Sequence, residues 1–163
     1  MQNKPVLLLE ALNPHLFNYL KEIRTIKALR QELLLMKPYL LNCHDAAQLR
    51  LFSLLVDHPH FWDSADAYSL QDLIDLNSGK LEIRLRSVVQ TYAKHIRQEC
   101  EACRGNGYLC EFCNQNEILF PFDDYVVTCR KCRAVYHRIC HEKHDGQCPR
   151  CFRRNERTSV DVV

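Results

Sequence analysis

Residues 100–151 read CEACRGNGYLCEFCNQNEILFPFDDYVVTCRKCRAVYHRICHEKHDGQCPRC, and this stretch decides how the chain folds. It holds nine of the ten cysteines, and eight of those nine form four C-x-x-C pairs. A two-residue gap lets both sulfurs of a tight turn face one metal ion. A bound zinc ion lies ~2.3 Å from each cysteine sulfur. The stretch therefore predicts thiolate-bound zinc.

Two other uses of cysteine fit this pattern less well. Disulfide frameworks belong to secreted chains, but the first apolar run, Val6 to Leu9, is too short for a signal-peptide core and is followed by Glu10. A redox-active C-x-x-C pair has no need of three similar pairs beside it. The spacing favours structural zinc in a reducing compartment, so we expect a cytoplasmic protein.

Composition excludes several classes of protein. The chain has 163 residues, of which 47% are hydrophobic and only 4 are glycine, which excludes a disordered or collagen-like chain. No apolar run approaches the ~18 residues of a membrane span. The net charge of +2 is too small for general binding to nucleic acid, so we expect no nucleic-acid partner.

The residues before the cysteine-rich stretch predict helices. Apolar residues recur at steps of three and four from Leu12 to Leu34, with lysine and arginine on the other face. Lys37-Pro38 is expected to end this helix. A second helix is expected to begin with Asp45 as its cap and to end before a loop at residues 58–66.

Two further helices are expected before the first cysteine pair. Ser69 and Asp72 have the spacing of a capping box, which predicts a short helix over residues 70–76 that stops at residues 77–79. A last helix, with apolar residues spaced from Leu81 to Ile96, should lead into Cys100.

The cysteine-rich half has too few large apolar residues for a core of its own. A small core supplies ~3–5 kcal/mol, whereas each structural zinc supplies an apparent ~10–16 kcal/mol. Short strands are expected at residues 118–122 and 125–127, joined at Asp123-Asp124. The predicted fold is an α-helical bundle (1–98), then a small zinc-stabilised α+β module of the cross-brace, C1/FYVE/PHD-like type (99–157), and a disordered tail (158–163).

The order of the ligands suggests how they are shared. Such series commonly interleave, although sequential pairing fits the spacing too. Interleaving gives one ion to Cys110, Cys113, His137 and Cys140, and a second ion to Cys129, Cys132, Cys148 and Cys151.

Cys100 and Cys103 remain after this assignment. They can hold a third ion together with His95 and a fourth ligand that the sequence does not identify, or they can form one local site with Cys110 and Cys113. We therefore expect two or three zinc ions and prefer three.

The other candidate ligands have simpler interpretations. Cys43 is expected to be a buried helix residue. Solvated or core positions are expected for the remaining histidines, namely His15, His44, His58, His60, His141 and His144.

No catalytic group of residues emerges. Sites made of four protein ligands are structural, whereas catalytic zinc keeps a position open for water, so we expect a binding module and no enzyme. Charge is uneven within the cysteine-rich half, with −5 over residues 99–128 and +6 over residues 129–157. The basic part can meet an acidic protein or anionic lipid headgroups.

The cysteine-rich stretch resembles the Rubicon homology domain. The resemblance lies in the glycine-containing run from Cys100 to Cys113, in Ile118-Leu119-Phe120-Pro121-Phe122, in C-x2-C-x4-H-x2-C from Cys129 and in Cys148-Pro149-Arg150-Cys151. The upstream segments Tyr68-Ser69-Leu70-x-Asp72-Leu73 and Gly79-x-Leu81 also fit.

This resemblance implies a function. The family occurs in Rubicon, Pacer, the pleckstrin-homology family M adaptors and the differentially-expressed-in-FDCP protein. It implies zinc binding by the nine cysteines and His137, at the end of a larger adaptor. It also implies binding to the GTP-loaded Rab GTPase of late endosomes and lysosomes, in control of autophagosome or endosome maturation and lysosome trafficking.

Two alternatives stay open. The ligand order is compatible with a C4HC3 ubiquitin ligase of the RING type. The spacing is also similar to that of lipid-binding C1 domains, although no histidine stands at their usual distance before Cys110, and the basic motif of FYVE fingers is absent.

Overall fold

The chain is divided into two compact units. A computed structural model describes residues 7–8, 15, 20–113 and 115–160, and only the backbone of residues 156–160. The helical unit comprises residues 1–104, and the cysteine-rich unit comprises residues 105–163. Cys100 and Cys103 therefore belong to the helical unit, whereas the sequence suggested a boundary at residue 98.

The helical unit is built on two long helices that pack against each other, α1 and α4. Its elements are β1 (Leu7–Leu8), α1 (Lys21–Leu41), α2 (His44–Gln48), two 3₁₀ turns (Leu51–Leu55 and Pro59–Trp62), β2 (Ala67–Tyr68), α3 (Leu70–Asn77), α4 (Lys80–Lys94), a π-helical turn (His95–Glu99) and α5 (Glu101–Gly105). β1 and β2 pair antiparallel, with Leu7 opposite Tyr68.

Helix α1 runs past the proline that was expected to end it. Pro38 lies inside the last turn, and Asn42 Nδ2 donates a hydrogen bond to its carbonyl oxygen. Leu40 is fully buried, so continuing the helix places one more apolar side chain in the core. The predicted turns before Lys21 lie almost wholly outside the described residues.

The second helix was predicted with the wrong cap and the wrong length. Cys43, not Asp45, caps α2, because its Sγ accepts a hydrogen bond from the backbone N–H of Ala46. Arg50 adopts a left-handed backbone conformation with φ of 52°, which ends the α-helical path. The segment predicted as a loop contains a 3₁₀ turn that buries Phe61.

The predicted capping box is confirmed. Ser69 Oγ accepts from the N–H of Asp72, and the Asp72 carboxylate accepts from the N–H of Ser69. Gly79, with φ of 74°, separates α3 from α4. Helix α4 then leads into the first cysteine pair, as the sequence predicts.

The cysteine-rich unit is small and contains little regular structure. Its elements are β3 (Val126–Thr128), β4 (Val135–His137), α6 (Arg138–Glu142) and α7 (Pro149–Val160). Its apolar core is formed by six residues, Cys110, Leu119, Val126, Ala134, Val135 and Tyr136. Helix α7 reaches Val160, past residue 158 where the sequence suggested a tail.

The predicted pairing of strands in this unit is wrong. Val126–Thr128 pairs antiparallel with Val135–His137, not with residues 118–122. Leu119 instead forms an isolated bridge with Tyr108. The turn at Cys129–Cys132 connects the two paired strands, so a cysteine pair takes the position of the hairpin loop.

None of the described helices is both long enough and apolar enough to cross a membrane.

Candidate metal centres

The structure gathers the cysteines and two histidines into three groups. Within each group the four ligand atoms all lie within 4.8 Å of one another. The first metal group is Cys110, Cys113, His137 and Cys140; the second is Cys129, Cys132, Cys148 and Cys151; the third is Cys43, His95, Cys100 and Cys103. The first two have the interleaved membership expected from the sequence, and the local site of Cys100, Cys103, Cys110 and Cys113 does not form.

Distances within the first two groups fit a tetrahedral zinc ion. Around such an ion two sulfurs lie about 3.8 Å apart, and a sulfur and a nitrogen about 3.5 Å apart. In the first group, His137 Nδ1 lies 3.3 Å from Cys113 Sγ and 3.8 Å from Cys140 Sγ.

The second group has the same dimensions. Its sulfurs lie 3.7 Å apart between Cys129 and Cys151, and 3.5 Å apart between Cys132 and Cys148. Four cysteine sulfurs, or three with one imidazole nitrogen, form the donor set of structural zinc sites. Both groups can therefore hold zinc.

The pKa values of the thiols show why a cation suits these groups. Burial works to raise the pKa of Cys129, but backbone N–H groups of Cys132 and Lys131 and neighbouring thiols outweigh it and lower the pKa to about 6. Burial and hydrogen bonds with the other thiols raise the pKa of Cys151 to about 12. The first thiolate thus forms readily, but its negative charge disfavours deprotonation of the next thiol. A bound cation offsets this repulsion between thiolates.

A carboxylate outside the four candidate ligands contacts the His137 ring. Glu117 Oε2 lies 3.3 Å from His137 Nε2, and Glu117 Oε1 accepts from the hydroxyl of Tyr125 at 2.9 Å. Glu117 carries no recognisable signal in the sequence, because nothing in its local pattern distinguishes it from other exposed acidic residues.

The third group contains a residue that was not expected to be a candidate metal ligand. Cys43 was expected to be an ordinary buried helix residue, but its sulfur lies with His95, Cys100 and Cys103. Cys43 Sγ thus occupies the fourth position that the sequence left unidentified. Its only signal was that it is the single cysteine outside the cysteine-rich stretch.

A fourth cluster, formed by His58, His60 and Asp72, has different dimensions. The Asp72 carboxylate oxygens lie 2.8 Å from His58 Nδ1 and 2.7 Å from His60 Nε2. Around a tetrahedral metal ion an oxygen and a nitrogen lie about 3.4 Å apart, so these are hydrogen-bond distances. Arg84 Nη1 lies 3.3 Å from His58 Nε2, which leaves Nδ1–H to donate to Asp72.

The two histidines near Cys140 lie outside the three groups. His144 stacks on Phe112, with ring centroids 4.5 Å apart, and its Nδ1 lies 2.8 Å from the carbonyl oxygen of Cys140. His141 stacks on Tyr136. Both therefore pack around the metal-binding turns.

Comparison with known proteins places the whole arrangement in a family. Residues 1–156 match the family model of the Rubicon Homology Domain. The chain is 37% identical over 98% of its length to "Differentially expressed in FDCP 8 homolog" of Caenorhabditis elegans and 38% identical over 95% to the Drosophila melanogaster protein of the same name. It is 34% identical over 97% to "Run domain Beclin-1-interacting and cysteine-rich domain-containing protein" of Mus musculus.

The chain covers only part of each relative. It spans 34% and 32% of the first two proteins and 16% of the third. The family match nevertheless covers residues of both units. The chain belongs to the Rubicon homology domain family.

Proposed function

We propose that this chain is a zinc-stabilised adaptor module that binds the GTP-loaded Rab GTPase of late endosomes and lysosomes. It would act from the cytoplasm, as part of a larger adaptor, in autophagosome or endosome maturation and lysosome trafficking. Its membership of the Rubicon homology domain family supports this function.

The metal groups support a role in binding. Each of the three groups offers four protein side chains to one ion, which fills the tetrahedral positions of zinc. A site of this kind stabilises the fold and leaves no position for a water to be activated. We therefore propose an adaptor with no enzymatic activity.

An exposed apolar face on α3 is the observation that carries the proposal. Leu70 and Ile74 lie one turn apart, and each has 57% of its surface exposed. Together with Leu73 and Asn77 they line a shallow apolar groove. Contiguous apolar surface of this kind marks a site for a protein partner.

The start of α3 is held firmly, which suits a docking helix. Asp72 is fully buried and accepts hydrogen bonds from His58, His60 and the backbone of Ser69. A surface that is ordered before binding loses less conformational entropy when the partner docks. We infer that this network presents α3 to the GTPase.

A pulldown tests this function. The chain is incubated with the late-endosomal Rab GTPase loaded with GDP or with a non-hydrolysable GTP analogue. We expect capture of the GTP form only, and at least tenfold weaker capture by Ile74→Asp, since a charge then enters an apolar interface. Leu35→Asp is the matched control, because Leu35 lies on the exposed face of α1, opposite its buried residues.

Other outcomes would overturn the proposal. Equal capture of both nucleotide states, or no capture, contradicts an effector function. If Leu35→Asp lost capture as Ile74→Asp does, the result would contradict α3 as the docking face. Autoubiquitylation in the presence of a conjugating enzyme would instead favour the RING-type ligase.

We also propose a second contact, with anionic membranes, because of the charge around the second metal group. Five exposed cations flank its cysteines, namely Arg130, Lys131, Arg133, Arg150 and Arg154. Residues 129–133 and 148–155 contain no acid. Four thiolates and one zinc ion leave a net charge of about −2, so the cations exceed what the metal group needs.

An exposed apolar residue accompanies these cations. Phe152 has 55% of its surface exposed and lies between Cys151 and Arg153. Cations beside an exposed aromatic ring are typical of peripheral membrane contacts, in which each cation contributes ~1 kcal/mol near an anionic surface.

Vesicle sedimentation tests the membrane contact. We expect binding to phosphatidylcholine vesicles only when phosphatidylserine is present, and loss of about 30-fold in affinity for the double variant Arg130→Gln/Lys131→Gln. Lys21→Gln/Arg24→Gln, which removes two exposed cations of the helical unit, is the control. If the first variant loses zinc but not vesicle binding, the cations serve the metal group alone.

A further inference from the structure

A surface cavity of about 500 Å³ lies in the cysteine-rich unit, where the chain turns from α6 into α7. Its lining includes three apolar and three charged side chains, namely Phe112, Pro149, Phe152, Lys143, Asp145 and Arg153. A cavity of this size accommodates a small molecule or a lipid headgroup. We propose that it binds the phosphoserine headgroup of phosphatidylserine, which depends on the membrane contact proposed for the same face.

The charges of the cavity match this headgroup in number and in sign. Phosphoserine carries two anionic groups, the phosphate and the carboxylate, and one cationic group, the ammonium. The cavity offers two cations, Lys143 and Arg153, and one anion, Asp145. Hydrogen bonds between such oppositely charged groups are shorter and stronger than those between neutral groups. Each charged group of the headgroup therefore has a counterpart of opposite sign in the lining.

Two of these three side chains are available to a ligand. Lys143 and Asp145 are exposed, and neither forms an ion pair with another residue in the part of the chain that the structure describes. Arg153 Nη2 donates to the carboxylate of Glu111. Because a guanidinium has five N–H donors, Arg153 can donate to a phosphate as well.

Nearby cations supply the attraction for a headgroup whose net charge is −1. Glu111 offsets the charge of Arg153, and Asp145 offsets that of Lys143, so the cavity itself is close to neutral. Arg150 is exposed beside it and belongs to the cations already assigned to the membrane contact. These outer cations attract any anionic lipid, whereas the cavity can distinguish one headgroup from another.

The turn that carries Lys143 and Asp145 is held in place before any ligand binds. Asp145 and Gly146 both adopt a left-handed backbone conformation, with φ of 56° and 68°. Their N–H groups donate to the carbonyl oxygens of Glu142 and His141. A site that is ordered in advance loses less conformational entropy on binding.

The cavity lies at the face that is proposed to meet the bilayer. Phe152, the exposed aromatic residue of that contact, lines it. Cys148 of the second metal group lines it too, so the cavity borders the cations that flank this group. A lipid at this face can therefore place its headgroup in the cavity.

The lining distinguishes serine from the headgroups of other common lipids. Phosphatidylcholine lacks the carboxylate that Lys143 would bind. Phosphatidylglycerol lacks the ammonium that Asp145 would bind, although its net charge equals that of phosphatidylserine. Attraction by surface cations alone depends on the charge of the membrane and gives no preference between these two anionic lipids.

Sedimentation of the full chain with two kinds of vesicle tests the headgroup site. Phosphatidylcholine vesicles contain either phosphatidylserine or the same fraction of phosphatidylglycerol, at one ionic strength. We expect about tenfold tighter binding to the phosphatidylserine vesicles, because the ammonium then gains a charge-assisted hydrogen bond.

Asp145→Asn gives opposite results for the site and for simple electrostatic attraction. If only charge matters, removing an anion strengthens binding to both kinds of vesicle. The headgroup site instead predicts about tenfold weaker binding to phosphatidylserine, with no loss for phosphatidylglycerol. Asparagine tolerates the left-handed backbone at this position. The matched control is Glu142→Gln, which removes the same charge from an exposed residue outside the cavity lining and should retain the preference.

Two results would overturn the headgroup site. One is equal binding of the wild type to both kinds of vesicle, which leaves the membrane contact itself standing. The other is a preference for phosphatidylserine that Asp145→Asn retains. Absence of binding to either kind of vesicle would contradict the membrane contact, and the headgroup site with it.

Discussion

Glu117 Oε2 lies 3.3 Å from Nε2 of His137, while Nδ1 of the same ring lies 3.3 Å from Cys113 Sγ. The carboxylate thus accepts the proton on the far nitrogen and leaves Nδ1 free for a metal ion. Carboxylates in this position fix the tautomer and the orientation of a histidine ligand.

Replacing Glu117 should therefore weaken metal binding without removing a ligand. We expect Glu117→Ala to lower the zinc affinity of the first metal group by 10- to 100-fold, the range seen for such supporting residues. Competition with a coloured chelator measures the affinity. Glu111→Gln, which removes the surface ion pair of Glu111 with Arg153, should leave it unchanged.

Removing a ligand should have a larger effect. In Cys132→Ser or His137→Ala a closed site loses one of its four donors, and the zinc-coupled folding energy of ~10–16 kcal/mol falls sharply. We expect loss of bound zinc, loss of the near-ultraviolet circular dichroism of the tyrosines in the cysteine-rich unit, and loss of partner binding. A Cys132→Ser chain with full zinc content and full binding would contradict the assignment.

The sequence predicted local features whose chemistry lies within a few residues. The capping box of Ser69 and Asp72 needs only a three-residue spacing, and the structure has it. The first two metal groups were also foreseen, because each cysteine pair is itself a local motif and only the pairing between turns had to be inferred.

Features that depend on distant contacts were missed. Pro38 predicts a helix end, but burial of Leu40 and the hydrogen bond from Asn42 allow another turn. The strand partner of Val126–Thr128 lies beyond a cysteine pair, which sequence reasoning treated only as a metal-binding turn. Cys43 is 52 residues from His95, and no local spacing connects them.

The buried Asp72 network should be important for the stability of the helical unit. Burial works to raise the pKa of Asp72, but hydrogen bonds from His58, the backbone of Ser69 and His60 outweigh it and hold the pKa well below its ordinary value. Asp72→Asn places an amide N–H against these donors. We expect a loss of about 3 kcal/mol in the free energy of unfolding.

Urea unfolding followed by Trp62 fluorescence measures this loss, because Trp62 lies in the helical unit. The matched control is Asp75→Asn on the same helix, where Asp75 accepts one hydrogen bond from Gln71. Its expected effect is below about 1 kcal/mol. Equal losses in the free energy of unfolding for the two variants would contradict a particular contribution of the Asp72 network to stability.

His60 should make the helical unit less stable in mild acid. Burial lowers its pKa below the ordinary value of 6.5, and the Asp72 carboxylate opposes this only in part. Because the unfolded chain then binds the proton more readily, the stabilising effect of this group is fully present above pH 6.5. It falls as the pH drops towards the folded pKa, by at most about 1.4 kcal/mol per pH unit. We expect wild type to lose more stability between pH 7.5 and 6.0 than His60→Gln, whose amide can still donate to Asp72 but does not titrate.

Both chains retain every candidate metal ligand, so competition between protons and zinc affects them equally. The control is His44→Gln, which removes an exposed histidine. Identical pH dependence of wild type and His60→Gln would contradict this role of His60.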